Sequence, residues 1–185
     1  MCRKRPAARQ LVPRRCSAVS ALALGPPQLH AAGVLVEKSE LDLSQHYGAL
    51  LGALQPYFER HEGEPDDVQT ARDNACGGLG RLILKNADAV PLEQGLPILF
   101  SSLPLANDFA EWAPVLLSLV HLLQSNNGVA MQHLDTILQL FHHVLASDAD
   151  ELGGVLRGQL CAFVSQLNTQ IPDKIRAYGL DAYLV

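Results

Sequence analysis

The chain has 185 residues, of which 48% are hydrophobic and only 5% aromatic, so it can bury an ordinary core and is not disordered as a whole. Leu and Ala dominate, which favours helices over a β-sandwich. Residues 1–36 carry six Lys and Arg and no acidic residue, whereas residues 37–185 carry 8 basic against 19 acidic residues, a net charge of −11. Because an acidic body repels phosphate and attracts basic proteins, we expect no nucleic acid partner.

Residues 1–38 are expected to form a basic, disordered leader, followed by a helical module over residues 39–185. An organelle transit peptide is the alternative, but such peptides are rich in Ser and this leader has only Ser17 and Ser20. No apolar run approaches the roughly 20 residues that span a bilayer, so we expect no membrane insertion. The four cysteines lie far apart, as in a reduced intracellular protein rather than a disulfide scaffold.

From Leu41 onward, apolar residues recur at intervals of three or four, which predicts a series of amphipathic helices. Proline, asparagine and glycine mark where these helices begin and end. In chain order, we predict helices over 41–58 with a kink or end at Pro56, from Asp66 or Asp67 to Asn86, from Pro91 to about 103, over 109–125, over 130–146, from about 156 to Asn168, and from Pro172 toward Leu184.

The spacing of these helices indicates a repeat. Those ending at Asn86, Asn126 and Asn168 finish 40 and 42 residues apart, and a turn and another amphipathic helix follow each one. Paired helices with a period near 40 are typical of HEAT and armadillo solenoids. The predicted fold is therefore an all-α solenoid of three to four antiparallel helix pairs.

The stretch "TARDNACGGLGRLILKN", Thr70 to Asn86, contains three glycines that could suggest a phosphate-binding loop. It lacks the Lys of a Walker loop, and no strand precedes it as a dinucleotide fingerprint requires. Helical periodicity also continues through it, so we interpret Gly77, Gly78 and Gly80 as helix positions that let neighbouring helices approach closely. Each helical Gly costs near 1 kcal/mol relative to Ala, which packing must offset.

The same helix fits the second-helix pattern of HEAT repeats, roughly V-R-x-x-A-A-x-A-L-G-x-L. The residues that fit are Arg72, Ala75, Cys76, Gly78, Leu79, Gly80 and Leu82, with Ala71 in place of Val and Gly78 in place of Ala. The polar turn "EPDD" stands where such repeats carry an acidic turn between their two helices. The resemblance implies that residues 66–86 form the second helix of a HEAT pair.

A longer stretch, Ala71 to Trp112, is similar to the C-terminal region of nuclear transport receptors of the importin-β (karyopherin-β) family, of the importin-4 and importin-5 kind. There an RDN helix is followed by a P-x-x-Q-x-L-P-x-L helix and then by LPL-x-x-D-x-x-E. The matching residues are Arg72, Asp73, Asn74, Pro91, Gln94, Leu96, Pro97, Leu99, Leu103, Pro104, Leu105, Asp108 and Glu111.

The resemblance implies a protein-binding module for basic, import-signal-bearing cargo, present in cytoplasm and nucleus. In such receptors the N-terminal repeats hold the main site for the Ran GTPase, so Ran binding is expected only of a full-length receptor. The chain resembles a C-terminal piece, as in a fragmentary gene model or a short paralogue. Second helices line the concave surface of such arrays, and the candidate partner-facing residues in or beside them are Asp73, Asp88, Glu111, Trp112, Asp150 and Glu151.

Other functions have weaker support. A HEAT or armadillo scaffold outside nuclear transport is the main alternative, but it does not account for the match over Ala71 to Trp112. Cys76 and Cys161 could be nucleophiles and His121, His133, His142 and His143 bases, yet no local signature joins them. His142 and His143 are adjacent, so on a helix their side chains point about 100° apart and cannot easily share a metal ion, and the zinc-binding motif HExxH is absent. We therefore expect no enzyme activity, metal or cofactor.

Overall fold

The computed structural model describes residues 26–147 and 149–185, without the side chains of residues 26–29, 149 and 150. All regular structure in these ranges is helical, as predicted, and short 3₁₀ turns join several of the helices. The α-helices are α1 (Pro26–Lys38), α2 (Tyr47–Leu54), α3 (Asp66–Asn86), α4 (Leu92–Ser102), α5 (Trp112–Gln124), α6 (Gly128–Gln132), α7 (Leu134–Ala146), α8 (Ala149–Leu152), α9 (Gly154–Asn168) and α10 (Pro172–Ala177).

Local chemistry explains why α3 has these bounds. Pro65 has an extended backbone and precedes the helix, while Asp66 and Asp67 in the first turn complement the positive end of the helix dipole. Lys85 lies in the last turn, where a cation is favourable. The backbone of Asn86 then leaves helical geometry and a 3₁₀ turn, Ala87–Ala89, leads to α4. The predicted helix from Asp66 to Asn86 is confirmed.

The helices form the two layers of a HEAT-type solenoid. Helix α2 contacts α3, and α7 meets α9 through the rings of Phe141 and Phe163, whose centroids lie 6.3 Å apart. In one layer α1 packs on α3, α3 on α5, and α5 on α9. In the other, α4 contacts α6, and the 3₁₀ turn Leu180–Tyr183 contacts α7. The prediction of an all-α solenoid is confirmed.

Several features differ from the sequence prediction. Helix α2 covers only Tyr47–Leu54 of the helix expected over 41–58, α8 was not predicted, and α10 ends at Ala177 instead of continuing toward Leu184. The helix expected over 130–146 is two helices, α6 and α7, which meet at His133, where the backbone (φ −102°, ψ 14°) departs from α-helical geometry. The packed region also begins before residue 39, because α1 is helical from Pro26 and packs along α3. A leader reaching residue 38 is therefore incorrect for residues 26–38, and residues 1–25 lie outside the described residues.

Two glycines of α3 leave space that atoms of neighbouring residues occupy. All residues from Ala71 to Ile83 are buried, because α1 and α5 flank this helix and α2 and α4 cover it. A Cβ on Gly80 would lie 2.5 Å from the backbone oxygen of Pro114 on α5. A Cβ on Gly77 would lie 1.5 Å from the Glu111 carboxylate, whereas one on Gly78 would make ordinary contacts of 3.5 Å with Leu54. Gly80 therefore allows α5 to approach, and Gly77 leaves room for a buried carboxylate.

Candidate functional site

Asp73 fastens the connection between α4 and α5 to the side of α3. Its carboxylate accepts hydrogen bonds from three consecutive backbone amides, those of Ala106 (3.1 Å), Asn107 (2.7 Å) and Asp108 (2.9 Å). The side chain is 1% exposed. Because a buried carboxylate needs such donors, the role of Asp73 in this structure is to hold the chain entering α5.

Two arginines fasten the turns on the same side of the array. Arg72 donates to the backbone oxygen of Glu59 (3.0 Å) and pairs with the Glu64 carboxylate, which lowers the pKa of Glu64. Arg60 donates to the backbone oxygens of Ser102 (2.8 Å) and Pro104 (2.6 Å). The Arg and Asp of the RDN motif therefore bind neighbouring turns of this chain itself.

A buried ionic cluster joins three helices of one layer. Arg81 Nη1 on α3 donates to Glu111 Oε2 at 2.5 Å, and Arg81 Nε donates to Glu37 Oε2 on α1 at 3.1 Å. His30 Nδ1 on α1 lies 2.7 Å from Glu111 Oε1. The Glu111 side chain is fully buried and that of Arg81 is 8% exposed. The cluster sets how α1, α3 and the start of α5 lie together.

Three of the six predicted partner-facing residues are buried in the chain. Asp73 and Glu111 make the internal contacts described above, and Trp112 is 3% exposed in the core. Sequence alone places these residues in or beside second helices without showing which face is covered. A partner-facing role for Asp73, Glu111 and Trp112 is therefore wrong for this structure, because no surface of these side chains is open to a partner.

The other three predicted residues do not form one site. Asp88 is exposed in the 3₁₀ turn after α3, and Glu151 is half-buried at the end of α8. Asp73, in the first half of α3, accepts a hydrogen bond from the backbone amide of Asp108, and the chain then enters α5 through the 3₁₀ turn Phe109–Glu111. Helix α8, which contains Glu151, contacts this turn. Glu151 thus lies near the starts of the second helices, whereas Asp88 follows the end of a 21-residue helix about 30 Å long. The side chain of Asp150 lies outside the described residues.

The surface near Glu151 is an open groove between two successive second helices, which we call the α5–α9 groove. Phe109, half-buried, lies in the groove, while Trp112 packs inward. Among the described residues, the side chains that line the groove include Phe109, Ala113, Leu117, Glu151, Val155, Leu156 and Gln159. The sequence analysis named Glu151 here but missed the apolar surface beside it, because the partner of a helix face is not visible in one periodic pattern.

The candidate nucleophiles lie in unfavourable surroundings. Cys76 is fully buried on α3, and burial raises the pKa of its thiol, so the reactive thiolate is disfavoured. Cys161 is also buried, on α9. Within the described ranges, no group of three or more His, Cys, Asp or Glu is arranged to hold a metal ion. The expectation that the chain is not an enzyme stays a prediction.

The paired helices, the close contact of successive second helices and the capped inter-repeat turns define the class of protein, a HEAT-type α-solenoid. No helix among the described residues is long and apolar enough to cross a membrane. A scan of protein-family models finds no match.

Comparison with curated proteins gives three matches, all to importins. The chain is 36% identical over 149 residues to a protein named probable importin subunit beta-4 from Schizosaccharomyces pombe, covering 80% of this chain and 14% of that protein. It is 31% identical over 118 residues to human importin-4, covering 63% of the chain and 10% of the relative, and 34% identical over 93 residues to mouse importin-4, covering 48% and 8%. The chain thus belongs to the importin-β family and is similar to a short part of the length of these relatives.

Proposed function

We propose that the chain is a protein-binding module of an importin-β-type nuclear transport receptor and that it binds basic, import-signal-bearing cargo. The similarity to importin-4-type proteins over 80% of the chain carries this proposal. The chain spans 14% of the length of the first of these relatives, so cargo import, Ran binding by a full-length receptor, and passage between cytoplasm and nucleus are all part of the proposal.

The charge of the molecule supports a basic partner. Residues 37–185 have a net charge of −11. Among the described acidic residues that are buried, Asp73 accepts hydrogen bonds from backbone amides and Glu111 pairs with Arg81. The negative field outside the molecule therefore comes from exposed carboxylates such as Asp88 and Glu93. Such a field attracts Lys- and Arg-rich segments and speeds their association.

The test measures binding of the full chain to a labelled basic import-signal peptide by fluorescence anisotropy, at low and at physiological salt. We expect binding at low salt that weakens as salt is added, because screening reduces the attraction between exposed charges. A peptide of the same length with its Lys and Arg replaced by Gln is the matched control. Equal binding of both peptides, or no binding at low salt, would contradict a basic cargo.

A further inference from the structure

The α5–α9 groove exposes apolar side chains that the other described residues leave uncovered. Val155, in the first turn of α9, is 81% exposed, while Phe109, Leu117 and Leu156 are half-buried along the groove. The groove has a volume of about 580 Å³, within the range of about 300–1,000 Å³ that is usual for ligand pockets. Its floor can therefore take a large aliphatic side chain and remove it from water.

The charge beside this apolar surface is negative. Among the described residues that line the groove, Glu151 is the one that carries a charge. Asp148 and Asp150 precede Glu151 in the sequence, but their side chains lie outside the described residues. Arg157, nearby in sequence, does not line the groove: it donates to the backbone oxygen of Leu145 at 2.6 Å and lies over the ring of Tyr183.

We infer that the α5–α9 groove binds an extended protein segment in which a large aliphatic side chain stands next to Lys or Arg. The aliphatic side chain packs on Leu117, Val155 and Leu156, and the basic side chain lies beside Glu151. The inference rests on the proposed function, a module that binds basic cargo, and adds the position of the site and the requirement for an apolar anchor.

The test uses the full chain and three labelled synthetic peptides in fluorescence anisotropy. The first peptide has one Leu among Lys and Arg residues, the second has Ala in place of that Leu, and the third keeps the Leu but has Asp and Glu in place of the basic residues. We expect the Leu to Ala change to weaken binding by about tenfold, as the loss of a buried aliphatic side chain predicts. We expect the acidic peptide not to bind.

Two variants of the protein locate the site, each with a matched control elsewhere on the surface. Val155→Ser should weaken binding of the Leu peptide by about three- to tenfold and leave binding of the Ala peptide nearly unchanged. Leu35→Ser, at a 67% exposed apolar side chain of α1, should leave both unchanged. Glu151→Gln should weaken binding of both basic peptides by about two- to fivefold and reduce its salt dependence. Glu62→Gln, in the exposed turn before α3, should not.

The outcomes separate the two proposals. If none of the peptides binds at low salt, the proposed function fails and this inference fails with it. If the basic peptides bind but the Leu and Ala peptides bind equally, or Val155→Ser has no more effect than Leu35→Ser, the groove is not the site although the proposed function stands. If the free chain sediments as a dimer that Val155→Ser makes monomeric, a second copy of the chain covers the groove, which also overturns the inference.

Discussion

Arg81 and Glu111, 30 positions apart in sequence, form an ion pair with Nη1 and Oε2 2.5 Å apart and with both side chains almost completely removed from water. Gly77, one turn before Arg81 on α3, leaves the space that the carboxylate fills. A residue that resemblance to transport receptors would place at a partner surface is therefore an internal contact between α3 and the start of α5.

Glu111→Leu should destabilise the protein by about 3–5 kcal/mol, because it leaves the Arg81 guanidinium buried without its main partner. Urea unfolding followed by circular dichroism measures the change. Glu93→Gln, at an exposed site, should change the free energy of unfolding by no more than about 0.5 kcal/mol. The double variant Arg81→Met with Glu111→Leu should be more stable than Glu111→Leu alone; if it is less stable, the isolated guanidinium is not the cause of the loss.

Gly80→Ala should destabilise the protein although Ala is the better helix former by near 1 kcal/mol. The new Cβ would lie 2.5 Å from the backbone oxygen of Pro114, and a backbone atom cannot move aside as a flexible side chain can. We expect a net loss of about 1–3 kcal/mol in the free energy of unfolding.

Gly78→Ala is the matched control for this substitution, since a Cβ there makes only contacts of 3.5 Å with Leu54 and keeps the gain in helix propensity. It should be neutral or stabilising in the same thermal unfolding experiment. Equal losses for the two variants would mean that the approach of α5 to α3 does not depend on Gly80.

Most of the fold could be predicted from the sequence, because the spacing of apolar residues indicates helices and the positions of Pro, Asn and Gly indicate where they begin and end. Pro65 and the two aspartates after it marked the start of α3, and the period near 40 residues marked the repeat. The break at His133 could not be predicted, because the apolar stripe from Leu134 to Leu145 remains helical beyond it and no Gly or Pro marks the interruption. Helix α1 was missed because the composition upstream of residue 36 suggested a leader.

The candidate site was less predictable than the fold for a physical reason. A carboxylate in or beside a helix has the same sequence signature whether it faces solvent or accepts hydrogen bonds from a neighbouring turn. Asp73 and Asp88 illustrate this, since the first accepts hydrogen bonds from residues 106–108 and the second is exposed. The difference depends on contacts more than 30 positions away in sequence, which one helix does not reveal.

Asp73→Asn should loosen the connection that enters α5. The substitution replaces one acceptor oxygen by an amide group that faces backbone donors, and hydrogen bonds to a charged group contribute about 1.5–3 kcal/mol. We expect a loss of about 2 kcal/mol in the free energy of unfolding and faster amide hydrogen exchange at Ala106, Asn107 and Asp108. Asp88→Asn is the control, and unchanged exchange at the three amides in Asp73→Asn would contradict this role.

The pair formed by Glu64 and Arg72 should make stability depend on pH in the acid range. Hydrogen bonding to Arg72 is the largest cause that lowers the pKa of Glu64 below its ordinary value of 4.5. The carboxyl therefore binds a proton more readily in the unfolded chain than in the folded protein, so its stabilising contribution is fully present above the unfolded pKa. This contribution is lost as the pH falls through the pKa that Glu64 has in the folded protein.

Glu64→Gln removes this charge, so the variant should be less stable than the wild type near pH 7, and the two should converge as the pH falls below the pKa of Glu64 in the folded protein. Urea unfolding midpoints at several pH values measure the difference, with Glu62→Gln as the control because Glu62 lies exposed in the same turn. A gap that stays constant from neutral to acid pH would show that Glu64 stabilises the turn by its shape alone, since only its ionised form attracts the Arg72 guanidinium.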